Sequence, residues 1–118
     1  MDSGTDGSSS KQIYDTVVGA VRARCNDVQG PGARKRQLYV SLAGTYGRFE
    51  TDDIDKALRA GRERGDLCRW RDGAGTLRYT PIEEDELQDI VGYMNDHEYD
   101  PEQIERIARL IREVRDDD

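Results

Sequence analysis

The sequence predicts an α+β fold that is mostly helical, with five amphipathic helices and one short β-hairpin between the third and the fourth. Three observations carry this. Apolar residues recur at helical spacing over five separate stretches. Residues 67–80 alternate with period two around Asp72-Gly73-Ala74-Gly75, the pattern of a hairpin. Charge is sorted by segment: residues 33–80 hold 11 basic and 7 acidic residues, residues 81–118 hold 4 and 14, and the whole chain carries −7.

In chain order, residues 11–26 read as the first helix, with Ile13, Val17, Ala20 and Val21 on one face and Ser10 as N-cap. Gly30-Pro31-Gly32 then breaks the chain into a linker. Residues 33–46 read as the second helix, where Leu38, Leu42 and Tyr46 repeat every four residues beside Tyr39 and Ala43. Arg34, Lys35 and Arg36 fill its first turn, the end where the helix dipole disfavours cations. Their placement points either to a phosphate contact or to a solvated basic helix start. After the turn 47–50, Thr51 caps the third helix and Asp52 and Asp53 fill its acidic first turn. Ile54, Ala57, Leu58 and Gly61 form its inner face, leaving Lys56, Arg59 and Arg62 outside, and Gly65-Asp66 ends it.

Two strands follow, at 67–71 and 76–80. Alternation sends Cys68 and Trp70 to one face and Leu67, Arg69 and Arg71 to the other. Residues 84–96 read as the fourth helix, through Leu87, Ile90, Val91 and Met94. Asp100-Pro101 opens the fifth, as an N-cap with proline at the first helical position. Ile104, Ile107, Ala108, Ile111 and Val114 make its apolar stripe, widened by Leu110.

Composition bounds the rest. Hydrophobic residues are 35% and charged residues 36%, so the core is small and a partner chain is expected to complete it. No apolar run approaches the roughly 18 residues of a membrane span. Residues 1–10 lack the basic start and apolar stretch of a signal peptide and are expected to be a disordered tail. Arginine outnumbers lysine 15 to 3 and aspartate outnumbers glutamate 16 to 9, which resembles the composition of proteins from salt-loving archaea. At molar salt the screening length is about 3 Å and repulsion among carboxylates is muted.

An enzyme is not expected: there is no glycine-rich phosphate loop, no Ser/His/Asp set, and one histidine, His97. Neither metal nor cofactor is implied, since no CxxC or HxxxH spacing occurs. Glu83-Glu84-Asp85-Glu86 reads as the acidic start of a helix and His97 as a residue at a helix end. Cys25 and Cys68 read as small hydrophobes, with a redox role left open.

The order helix, helix, turn, helix, hairpin, helix resembles the winged helix-turn-helix family. The resemblance rests on Gln37-Leu38-Tyr39-Val40-Ser41-Leu42-Ala43, on the inner-face Ile54, Ala57 and Leu58, on Gly65-Asp66-Leu67-Cys68-Arg69 at the entry to the wing, and on Leu77-Arg78-Tyr79-Thr80-Pro81 at its return. It is similar to small haloarchaeal or haloarchaeal viral PadR-like and MarR-like regulators and covers residues 11–82, with 83–118 as a C-terminal helical segment for dimerisation. The chain departs from the pattern at Asp66, where an apolar residue is common, and at Gly61, where leucine is usual.

The resemblance implies a cytoplasmic transcriptional regulator that binds double-stranded DNA sequence-specifically as a homodimer at high salt. Arg59 is then the expected base contact, with Lys56 and Arg62 beside it on the reading helix. Arg69, Arg71 and Arg78 would reach backbone or minor groove from the wing, and Arg34, Lys35, Arg36 and Arg48 would clamp phosphates. Ile104, Ile107, Ile111 and Val114 would pack on a second copy. Asp52, Asp53 and Asp55 crowd the start of the reading helix, where they would repel phosphate or, at high salt, hold cations against it. Two alternatives stay open: a winged-helix adaptor that binds protein, and a sensor that uses Cys25 or Cys68.

Overall fold

The computed structural model describes residues 10–23, 26–27, 30–43 and 49–116. The expectations placed on residues 1–9, on Cys25, on the 44–48 turn with Tyr46 and Arg48, and on Asp117 and Asp118 lie outside these. The elements are α1 (Ser10–Ala23), β1 (Asn26–Asp27), β2 (Gly30–Pro31), β3 (Ala33–Arg34), α2 (Lys35–Ala43), α3 (Thr51–Arg64), β4 (Leu67–Arg71), β5 (Leu77–Pro81), α4 (Glu84–Asp96) and α5 (Pro101–Asp116). The fold is α+β and mostly helical. A small two-stranded ribbon joins β1 and β2, and a three-stranded antiparallel sheet has the order β3-β5-β4.

The second helix starts two residues later than its periodicity predicts. Ala33 and Arg34 are strand residues, paired with Tyr79 and Arg78 on the free edge of β5. Cross-strand hydrogen bonding takes two residues that helical spacing alone had claimed. Gly32 makes the turn into this strand at φ +98°, where a Cβ would lie 2.9 Å from Thr80 Oγ1 and 3.0 Å from Arg78 Cβ. At α3 the N-cap is Glu50 rather than Thr51: Glu50 and Asp53 form a reciprocal capping box, in which the Glu50 N–H donates to the Asp53 carboxylate at 3.1 Å. Gly65, at φ 81°, closes the other end of α3 in the left-handed conformation.

The sheet has a core on each face. In an antiparallel pair, residues opposite one another share a face. Cys68 lies opposite Thr80 and Trp70 opposite Arg78, and this side packs on Leu87, Ile90, Met94, Ile107 and Ile111 of α4 and α5. Leu67 and Tyr79 project from the other side, into Tyr14, Val17, Val21, Leu38, Ile54 and Leu58 of α1, α2 and α3. The second core corrects the assignment of Ile107 and Ile111 to a partner chain. Ile107 is 0% exposed and Ile111 8% exposed, while Ile104 and Val114 pack at the margin of the same cluster. The helix folds back on its own sheet, where Cys68, Trp70 and the Leu87, Ile90 and Met94 side chains of α4 cover its inner face.

The same packing accounts for the glycine at position 61 in α3. A Cβ at Gly61 would meet Leu67 Cδ1 at 2.6 Å, so Leu67 of β4 fills the space beside α3 that a side chain at 61 would need. Gly61→Ala should therefore destabilise the protein by about 1–3 kcal/mol through overpacking. Gly92→Ala in α4, where nothing lies within 4 Å of the new Cβ, should stabilise it by about 0.5–1 kcal/mol. Denaturant unfolding of the two variants checks the contrast; equal shifts would contradict the packing at Gly61.

Candidate nucleic-acid interface

The outward face of α3 carries Lys56, Arg59 and Arg62, all exposed, because Ile54, Ala57, Leu58 and Gly61 are turned inward by the first core. Among the described residues none of the three cations has an ion-pair partner. The carboxylates crowding the start of this helix are mostly engaged elsewhere. Asp53 serves the capping box. Asp55 accepts from Lys35 Nζ at 3.1 Å and from Tyr39 Oη at 2.5 Å, tying α2 to α3. Asp52 and Glu63 remain exposed on the helix. No group of carboxylates, histidines and cysteines suited to a metal ion occurs among the described residues.

The basic start of α2 divides. Lys35 is spent on Asp55: burial lowers its pKa, but the hydrogen bond and charge of Asp55 outweigh this and raise it. Arg34 lies in β3, half-buried, and its backbone N–H donates to Gln37 Oε1 at 2.8 Å. Arg36 is exposed, beside Val40, which at 68% is the exposed large apolar residue of the described chain.

On the hairpin the expected cations separate sharply. Arg78 is 1% exposed and cannot reach a ligand. It shares the face of Trp70, under α4 and α5, so its guanidinium is enclosed and needs a counter-charge. Asp72 supplies it: Arg78 Nε donates to Asp72 Oδ2 at 2.7 Å, and Arg78 Nη1 donates to the Gly32 carbonyl at 3.0 Å. The other Asp72 oxygen accepts from the Ala74 and Thr76 N–H groups, both at 2.9 Å, which fixes the hairpin loop. The loop is also held from α4 and the α4–α5 turn. Gly73 N–H donates to Tyr93 Oη at 2.9 Å, and Tyr99 Oη donates to the Arg71 carbonyl at 2.8 Å. His97 stacks on Tyr93 with ring centroids 3.9 Å apart, a structural place at the end of α4. Arg71 is exposed but folds over its own loop, donating to the Gly75 carbonyl at 2.6 Å. Arg69 is half-buried, on the edge strand β4 next to α3.

Sequence reasoning passed over two further arginines. Arg106 and Arg109 of α5 come close to α3 across β4, and Arg106 Nη2 donates to the Arg69 carbonyl at 2.9 Å. The arginines of the acidic segment fall at 106, 109, 112 and 115, a three-residue spacing that places successive ones on neighbouring parts of one helix. Two are consumed within the chain, Arg112 by Glu105 and Arg115 by Glu84. The acidic run at the start of α4 is likewise paired in part, since Glu83 also holds Arg22 at 2.9 Å.

Cys68 offers no reactive thiol. It is 4% exposed, and burial pushes its pKa up to about 11, so the thiolate needed for redox chemistry is scarce at neutral pH. No helix among the described residues is long and apolar enough to cross a membrane.

Breaking the Asp72–Arg78 pair from one side should be costly. Asp72→Asn leaves a buried guanidinium without its counter-charge and should lose about 3–5 kcal/mol in chemical denaturation. Burial works to raise the Asp72 pKa, but the hydrogen bonds from Arg78, Thr76 and Ala74 outweigh it and hold the carboxyl below the ordinary range. The contribution is therefore complete above the unfolded value of about 3.9 and is lost as pH falls through the lower folded value. Wild type should weaken over that acid range more than Asp72→Asn does; parallel curves would contradict the assignment.

No protein-family model, curated protein or solved structure matches this chain.

Proposed function

We propose that this chain is a winged-helix DNA-binding protein and acts as a transcriptional regulator, with α3 as the helix that enters the major groove. The observation that carries the reading is the cationic outer face of α3: Lys56, Arg59 and Arg62 are exposed and unclaimed, while Asp53 and Asp55 are taken up by the cap and by α2. Support also comes from connectivity. Strand β3 between α1 and α2, a sheet ordered β3-β5-β4 and a hairpin directly after α3 follow the order of a winged helix.

A helix in the major groove reads bases through donors on its outer face, and arginine pairs bidentately with guanine. Arg59 is the residue assigned to that contact. Lys56, Arg62 and Arg69 sit where they would approach the flanking backbone, and Arg36 would approach it from α2. The hairpin serves as a braced flank, with Arg71 at its exposed end, rather than as a free wing. The reading does not require a second copy, because the apolar stripe of α5 is already covered. Work at high salt remains part of the proposal, carried by composition: counterion release yields little affinity there, so binding must rest on base contacts and shape.

A protein-binding adaptor is the second reading. Val40 favours it, as an exposed apolar side chain on α2 beside Arg36.

Fluorescence anisotropy with labelled duplexes, from low to molar KCl, tests the proposal. Arg59→Ala should cost about 1–3 kcal/mol and relax preference at one base pair. Arg78→Lys should act through stability alone, with no selective loss of duplex affinity in the folded fraction. No duplex binding at any salt, with a protein partner retained through Val40, would replace this reading by the adaptor.

A further inference from the structure

We infer that α5 forms the second wall of a phosphate-binding groove, so that the DNA interface extends beyond the helix-turn-helix and hairpin to the C-terminal helix. The inference rests on the DNA-binding reading and adds to it a strand of phosphodiester backbone held between α3 and α5.

An open groove of about 910 Å³ runs between these two helices, with β4 as its floor. Arg59, Arg62 and Arg64 line one side, Arg69 the floor, and Arg106 and Arg109 the other side. Two carboxylates, Glu63 and Glu113, face these six arginines, so the groove is strongly cationic inside a chain of net charge −7. The cations are all arginine, whose planar fork suits phosphate oxygens. Arg106 is held in place by its hydrogen bond to the Arg69 carbonyl, while the Arg64 guanidinium lies 4.4 Å over the Tyr14 ring of α1, at the margin of the groove. Arg109 is exposed and has no ion-pair partner among the described residues.

Geometry favours a phosphodiester strand over a small anion. A helix with its side chains is about 10–12 Å across and the major groove is about 12 Å wide, so a helix seated there has a phosphate strand along each flank. On one flank of α3 that strand meets Arg106 and Arg109. The groove is also continuous with the outer face of α3, since Arg59 and Arg62 belong to both.

The test compares Arg109→Ala, Glu113→Lys and Arg59→Ala with wild type, by anisotropy on two unrelated duplexes across the salt range in which each protein stays folded. Arg109→Ala should weaken both duplexes alike, by about fivefold to tenfold at ~0.1 M salt, and change the slope of log K against log salt by about 0.9 toward shallower dependence. Glu113→Lys should strengthen both and steepen the slope, a gain that misfolding cannot mimic. If Arg59→Ala weakens binding while Arg109→Ala and Glu113→Lys match wild type, the α5 wall is overturned and the DNA reading stands. If wild type binds no duplex, both fall. If pyrophosphate binds wild type but not Arg109→Ala, with duplex affinity and slope unchanged, the groove is a small-anion site and the inference is overturned.

Discussion

The buried ion pair between Asp72 and Arg78 is the constraint around which the rest is arranged. It closes the hairpin, from Asp72 in the loop to Arg78 on strand β5, and ties both to a distant segment, the turn before β3, through the Gly32 carbonyl. An enclosed arginine of this kind contributes little net stability against an apolar replacement, but it tolerates few arrangements of its neighbours. Gly32 must approach closely enough that a Cβ would collide with Thr80 and Arg78. Trp70 completes the site, with its indole N–H donating to Thr80 Oγ1 at 3.1 Å. The pair thus fixes how the first helical layer attaches to the sheet and how the hairpin leaves it.

From that fixed sheet the two cores follow. Alternation along β4 and β5 gives each face a distinct set of side chains, and each set finds helices to cover it. A chain with as many charged as hydrophobic residues achieves this by using its sheet twice. One consequence reaches function: α4 and the turn after it brace the hairpin through Tyr93 and Tyr99, so the hairpin tip is positioned by the C-terminal helices. Another is that α5, drawn onto the sheet by Ile107 and Ile111, brings its own arginines alongside α3.

The electrostatics are resolved by local pairing rather than by average charge. Asp55 is neutralised by Lys35, Glu84 by Arg115 and Glu83 by Arg22. These exposed pairs stabilise little. Their effect is to remove particular charges from the field a ligand meets. What remains unclaimed along α3 and the neighbouring side of α5 is predominantly basic, even though the segment containing α5 is strongly acidic.

Sequence by itself determined the helices and the hairpin, because periodicity of apolar residues reports which face of a local element is buried. The fourth helix came out at its observed bounds, and Cys68 and Trp70 fell on one face of β4 as alternation requires. The outward placement of Lys56, Arg59 and Arg62 was legible for the same reason. Periodicity says nothing about what covers a buried face. It could not distinguish a partner chain from the protein's own sheet as the cover for Ile107 and Ile111, nor show that Ala33 and Arg34 would leave a helix to pair with β5. It read Arg78 as an exposed cation because the burial of a charge depends on what packs over it, and here that comes from α4, α5 and the Gly32 turn, remote in sequence. Tertiary packing decided those matters, and with them which arginines remain free to meet a ligand, because such contacts join residues whose separation in sequence carries no record of their distance in space.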